Sequence, residues 1–265
     1  MTKLEIADLT ILLIEPSAMQ QKVIIHQLSE AGVDKVDLVS SGESAIRYLE
    51  NSKPDLVISS LYFEDMTALE VLNHLRSEKS NHQVPFMLVS SEIKFGRIDP
   101  IKQAGVVAIL PKPFKFDSLV TALKNTLQFL EPEELDLDNY DPTTLRVLVV
   151  DDSKLARRFI CKTLHGLGVN HITEADDGKS AIDILSQTHD FDLIVSDYNM
   201  PEVDGKALVE YVRSNEIIAH IPVLMVTSEQ NRAVLNNIEQ VGVSAICDKP
   251  FEPDNVRQLL SNILS

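Results

Sequence analysis

At 265 residues, 44% apolar and 24% charged, the chain has the length of about two ordinary domains and a globular composition, which excludes wholesale disorder. Its acidity is the unusual quantity: 40 Asp and Glu against 24 Lys and Arg give a formal charge of −16. With no basic patch to offset it, that charge argues against direct binding to nucleic acid or to anionic membranes. No apolar run approaches the roughly 20 residues of a membrane span, and Glu5 and Asp8 stand where a secretory leader would be basic. The two cysteines, Cys161 and Cys247, form no CxxC. A reduced, cytoplasmic protein without disulfides or a thiolate zinc site is expected.

In chain order the first half carries ILLIEPSAMQQ (11–21), SSGESAI (40–46), PDLVISS (54–60), VPFMLVSSE (84–92) and AGVVAILPKPF (104–114). Each returns in the second half at an offset of about 136 to 137 residues, as VLVVDDSKLAR (147–157), DDGKSAI (176–182), FDLIVSD (191–197), IPVLMVTSE (221–229) and VGVSAICDKPF (241–251). A period this long is a whole domain duplicated, not a solenoid of short repeats. The units expected are 1–130 and 144–265, joined by an acidic linker at 131–143. Within it, EPEELDLDNYDP (131–142) holds six carboxylates, two prolines and no base, and without those six charges the rest of the chain carries −10. Such a segment reads as solvated and self-repelling.

In the second unit short β-branched runs alternate with amphipathic stretches. VLVV (147–150) precedes a helical pattern at Leu155, Phe159, Ile160 and Leu164, and a short strand near Ile172–Thr173 precedes Ala181, Ile184 and Leu185. LIV (193–195), PVLMV (222–226) and AIC (245–247) are each followed by a further helical pattern. Strands apolar on both faces, alternating with helices, indicate a parallel sheet covered on both sides. The fold class expected is α/β: two tandem flavodoxin-like (βα)5 domains, each a five-stranded parallel sheet in a three-layer sandwich.

In such sheets chemistry gathers beyond the carboxyl ends of the strands. In the second unit that edge collects Asp151 and Asp152 after the first strand, Asp197 at the end of the third, Thr227 at the end of the fourth, and Lys249-Pro250-Phe251 after the fifth. Three carboxylates against one ammonium leave two negative charges, which Mg²⁺ would cancel; magnesium takes few protein carboxylates and keeps waters that a phosphate oxygen can replace. Asp197 could then attack phosphorus as a carboxylate nucleophile, with the metal, Thr227 and Lys249 stabilising the equatorial oxygens. Singly, each residue has a plainer reading: Asp151, Asp152 and Ser153 as helix caps, Thr227-Ser228-Glu229 as a helix start, Asp204-Gly205 as a turn. None of these explains why the polar residues all fall at one edge.

VLVVDDS (147–153), LIVSDYNMPEVDG (193–205), VTSE (226–229) and DKPF (248–251) closely resemble the receiver domain of two-component response regulators. The resemblance implies Asp197 as phosphoacceptor, Asp152 as the main magnesium ligand, Asp151 assisting, and Asn199 lending its backbone carbonyl. It also implies Thr227 as the switch hydroxyl and Lys249 as the phosphate-binding lysine, with a cis Lys249–Pro250 peptide. Where the family often has Tyr or Phe, three residues before the lysine, this chain has Ile246.

The first unit shares the resemblance but not the acids. Ser60 stands opposite Asp197, and Glu15-Pro16 opposite Asp151-Asp152, while Ser90 and Lys112-Pro113-Phe114 remain. Asp55 falls five residues before Ser60, at the wrong end of its strand, and Glu64 and Asp65 lie in the following loop. The first unit therefore reads as a degenerate receiver in which Lys112 pairs with Glu15.

The function implied is phosphorelay signalling, with Mg²⁺ as cofactor and a histidine kinase or phosphotransfer protein as donor. The protein reads as a signalling switch acting on a downstream protein target, not as an enzyme, and receiver–receiver packing within or between chains is compatible with it. Two alternatives are weighed against this. A haloacid-dehalogenase-like phosphatase needs a second acid two residues after its nucleophile, where Asn199 stands. A nucleotide- or flavin-binding module lacks its glycine signature, since Gly166-Leu167-Gly168 follows a helix. The last helix is expected to end near Leu264, so the protein acts by contact, shuttles phosphate, or is the receiver portion of a longer regulator.

Overall fold

A computed structural model of the chain describes residues 3–77, 84–92, 95–132, 141–229 and 231–264. It divides into two units, Met1–Glu131 and Pro132–Ser265; most of the acidic linker, 133–140, lies outside the described residues. The first unit runs β1 (Thr10–Ile14), α1 (Ala18–Glu30), β2 (Lys35–Val39), α2 (Gly42–Asn51), β3 (Leu56–Ser59), α3 (Ala68–Ser77), β4 (Phe86–Ser90), α4 (Phe95–Gln103), β5 (Ala108–Pro111) and α5 (Phe116–Leu130). The second runs β6 (Arg146–Val150), α6 (Lys154–Gly166), β7 (His171–Ala175), α7 (Gly178–Gln187), β8 (Leu193–Asp197), α8 (Gly205–Ser214), β9 (Val223–Thr227), α9 (Arg232–Gln240), β10 (Ala245–Asp248) and α10 (Pro253–Leu264). Among the described residues no helix is long and apolar enough to cross a membrane.

Each unit is one parallel sheet, ordered β2-β1-β3-β4-β5 and β7-β6-β8-β9-β10. The interior strands are buried along nearly their whole length because helices cover both faces, whereas edge strands β2 and β7 keep exposed positions. The chain reverses its winding between β1 and β3, and again between β6 and β8, and such a switch point opens a crevice at the carboxyl ends of those strands. In the second sheet Val150 pairs in register with Ser196, and Asp197 with Val226, so the residues just after β6 and at the end of β8 face that crevice.

The duplication extends to the hydrogen bonds. At the amino edge Asp55 accepts from the Thr10 N–H at 2.8 Å, and Asp192 accepts from the Arg146 N–H at 2.9 Å. Ser17 and Ser153 cap α1 and α6 by accepting from Gln20 and Ala156. Two of the plainer local readings weighed above differ from the structure. Asp204 is the N-cap of α8, accepting from the Ala207 N–H at 2.8 Å, because an Asp before an amphipathic run caps as readily as it turns. The helix after β9 begins at Arg232 under the cap of Asn231, not at Thr227–Glu229.

Gly205 is required by contact: a Cβ there would lie 2.3 Å from the Asp197 carbonyl oxygen and 2.9 Å from Met225 Sδ. Gly205→Ala is expected to destabilise the second unit by about 1–3 kcal/mol in denaturant unfolding, while the first unit, which has Ala68 there with the matching bond to Leu61, is untouched. An unchanged midpoint would contradict the contact.

Candidate functional site

The second crevice is assembled from four strand ends. Asp151 is fully buried and Asp152 is exposed. The Asp151 Oδ1 accepts from the Ser153 N–H at 2.9 Å, a bond in the same turn that caps α6, and this leaves Oδ2 to Lys249 Nζ at 3.2 Å. Asp197 is 1% exposed; its Oδ1 pairs with Lys249 Nζ at 3.0 Å, while Oδ2 is buried with no hydrogen-bond partner among the described residues. The adjoining Tyr198 N–H donates to the Val226 carbonyl at 3.1 Å and also pulls slightly on the Asp197 carboxyl. Thr227 is buried at the end of β9, and its hydroxyl accepts from the Glu229 N–H at 3.0 Å. The Lys249 N–H donates to the Thr227 carbonyl at 2.7 Å, and the Lys249–Pro250 peptide is cis. Asn199 is exposed in the loop after β8, and Ile246 is half-buried on β10 against the core.

Burial dominates the electrostatics. It pushes the Asp197 carboxyl up to about 6 against the pull of Lys249, with Asp151 adding to the rise. Asp151 is raised for the same reason. Burial alone would lower the Lys249 ammonium, but the two facing carboxylates carry it above its ordinary value. One ammonium thus faces more negative charge than it can satisfy.

This donor set fits a hard divalent cation. One oxygen from each of Asp151, Asp152 and Asp197 lies within 4.8 Å of the others, the only such group among the described residues. Oxygen-only ligands suit magnesium, and the orphaned Asp197 Oδ2 lacks the partner that buried carboxylates ordinarily have. The cysteines offer no competing site: both are buried, and burial pushes each thiol up to about 12.

The first crevice is closed on itself. Glu15 Oε2 receives Lys112 Nζ at 2.6 Å and the Ser60 hydroxyl in a short hydrogen bond, and Lys112 Nζ also donates to Ser60 Oγ at 3.1 Å. Glu15 Oε1 accepts from the Ser17 N–H at 2.9 Å, so both its oxygens are occupied. Burial raises its carboxyl, but Lys112, Ser60 and Ser17 together bring it below the usual value. Asp65 does not enter the crevice. It accepts from the Gly42 and Glu43 N–H groups at 3.1 and 2.7 Å, at the first turn of α2. Outside the crevice Arg97 joins Tyr62 and Glu92, tying the loop after β3 to the loop after β4.

With this geometry in hand, comparison with known proteins places the chain. The model of the response regulator receiver domain matches residues 11–124 and again 147–261; the chain belongs to that family, as two receivers in tandem. Relatives include the chemotaxis protein CheY-3 of Vibrio cholerae, 38% identical over 119 residues, 45% of this chain and 91% of its own. The chemotaxis protein CheY of Pseudomonas aeruginosa is 38% identical over 119 residues, 45% of this chain and 95% of its own. Among solved structures, CheY4 of Vibrio cholerae is 32% identical with a TM-score of 0.42, covering 45% of this chain and 98% of that one. The chain is thus built of receiver domains of the kind that serve two-component signalling.

The two crevices respond to pH with opposite signs. A carboxyl raised in the folded state, as Asp197 is, binds protons more tightly folded than unfolded, so it lowers stability as pH rises from about 4 through about 6. Glu15, lowered in the folded state, contributes stability present above its unfolded value and lost as pH falls through that value to its folded one. Without divalent metal, Asp197→Asn is therefore expected to stabilise the second unit at pH 7 by about 1–3 kcal/mol, an advantage that vanishes by about pH 4. Thermal unfolding in a chelator across that range reads it; a variant less stable than wild type at pH 7 would contradict the unsatisfied-carboxylate account.

Proposed function

We propose that the second unit receives a phosphoryl group on Asp197 from a phosphohistidine donor, and that the resulting change in charge and packing alters its contacts with a protein target. The observation that carries this is the unpartnered, buried Asp197 Oδ2 beside an acid pair and a lysine that cannot neutralise them all. Asp197 Oδ2 forms the new bond to phosphorus as the phosphorus–nitrogen bond of the donor breaks, and the bonding pair returns to the departing imidazole ring. Lys249, held between Asp151 and Asp197, exchanges part of its pairing for an equatorial phosphoryl oxygen, and the Thr227 hydroxyl lies at the neighbouring strand end to take another. Asp151, Asp152, Asp197 and the Asn199 backbone carbonyl would hold Mg²⁺, which supplies charge neutralisation and a template for the oxygens.

The first unit, 1–130, acts on this reading as a degenerate receiver. The Ser60 hydroxyl donates a hydrogen bond to Glu15, a carboxylate kept ionised and therefore too weak a base to activate it, and Pro16 replaces the second acid. Its remaining role is contact: docking a partner, or packing against another receiver. Residues 131–143 serve as an acidic linker, and 144–265 as the phosphorylatable receiver. The donor is a histidine kinase or phosphotransfer protein.

Incubating the chain with a small acyl phosphate and Mg²⁺ and measuring intact mass is expected to show one phosphoryl adduct. It should be absent in Asp197→Asn and without Mg²⁺, and retained in Ser60→Ala. An adduct that persists in Asp197→Asn or depends on Ser60 would overturn the assignment, and sustained turnover of simple phosphate esters would favour a phosphatase. In the same series Asp152→Asn should slow labelling at least tenfold; labelling at the wild-type rate would remove Asp152 from the metal site.

A further inference from the structure

Asp152 is the exposed member of the acid cluster, and what aims it is the peptide plane before it. The Asp151 carbonyl and the Asp152 N–H and Cα share that plane, and Arg157 Nη1 donates to the carbonyl oxygen at 2.6 Å. The arginine is itself braced: its side chain is 13% exposed, and its Nε donates to Glu174 Oε2 at 2.8 Å. Glu174 lies on β7 beside Ala175, whose carbonyl accepts from the Asp151 N–H. The backbone entering the metal cluster is thus gripped from α6 through Arg157 and from β7 through Ala175.

The first unit supplies a natural control. There the carbonyl of Glu15 is gripped from α1 by Gln21 Nε2 at 2.7 Å, an amide at the place of Arg157. Its strand neighbour is Leu38, which pairs in register with Leu13 as Glu174 pairs with Val149. Where Pro16 replaces the second acid, the grip survives as an uncharged one and the carboxylate brace is gone with the guanidinium.

We propose that Arg157, braced by Glu174, is a positioning residue for the cation site: it fixes the Asp151–Asp152 peptide so that the Asp152 carboxylate faces the ion. Glu174 cancels the guanidinium charge, so the grip does not compete with the metal. This rests on reading Asp151, Asp152 and Asp197 as a magnesium site.

The test is a Mg²⁺ titration of the full chain by calorimetry, with thermal unfolding in chelator run alongside and Asp197→Asn as the site control. Arg157→Met, which keeps the stem and removes the donors, is expected to weaken Mg²⁺ binding about tenfold. Arg157→Gln should stay within about threefold of wild type, because an amide makes the same grip in the first unit. A clamp that matters only for folding would lower the melting temperature in chelator and leave the dissociation constant alone, and that result would overturn the proposal. So would a Gln variant as impaired as the Met variant. Should Arg157→Met fail to fold, the exposed Glu174→Gln decides: about threefold weaker binding supports the brace, and unchanged affinity rejects it. If the wild-type chain takes up no Mg²⁺ at all, the metal reading falls and this inference with it. Normal wild-type binding with an indifferent Arg157→Met sinks the positioning role alone.

Discussion

Each sheet's last strand is followed by a lysine whose ammonium has left most of its water, and the groups that answer that charge decide what each crevice can do. Taking an ammonium out of solvent costs several kcal/mol unless paired charge and hydrogen bonds repay it. Lys112 is answered by one carboxylate and one hydroxyl, and the charges come out even. Lys249, with a side chain 3% exposed, is answered by two buried carboxylates with a third beside them. The first arrangement is saturated. The second carries surplus negative charge and an unpartnered oxygen, which is an electrostatic demand for a cation.

Three substitutions separate the states on an otherwise shared scaffold. Serine in place of Asp197 removes the proposed nucleophile, and proline in place of Asp152 removes a proposed cation ligand. Glutamate in place of Asp151 adds a methylene, and the longer side chain reaches both the Ser60 hydroxyl and Lys112. The flanking devices are kept in both units: a serine capping the first helix, a backbone N–H on the inner acid, and a side-chain donor on its carbonyl. The fold and the acid cluster are thus carried by different residues, and the acids can be lost while the frame persists.

Much of this is legible in the sequence. A fully apolar strand ending in a bare aspartate, LIVSD, has few structural uses, and the convergence of Asp151, Asp152, Asp197, Thr227 and Lys249 follows from a parallel sheet whose strands all end on one side. The pairing of Lys112 with Glu15 was legible too, since a lysine kept after its aspartate is lost must find another partner. The roles of Arg157 and Glu174 were not. An arginine in the first turn of an amphipathic helix reads as solvated surface; its reach back to the Asp151 carbonyl is a side-chain conformation, and the pairing of β6 with β7 brings Glu174 beside it. Asp65 and Asp204 were equally hidden, because an acid in a loop can cap a helix, turn the chain or enter a site, and packing alone selects among them. The strand order, with its switch point between β6 and β8, likewise depends on pairing that no local pattern encodes.

The most direct measurement is a crystal structure of the full chain grown with Mg²⁺ and beryllofluoride, a tetrahedral mimic of a phosphoryl group. The prediction is an ion held by the second unit's acids, with beryllium bonded to an Asp197 oxygen and Lys249 turned towards a fluoride, while Glu15, Ser60 and Lys112 keep their closed triad with nothing bound. Fluoride or metal in the first crevice, or an ion that avoids Asp152 and Asp197, would contradict it.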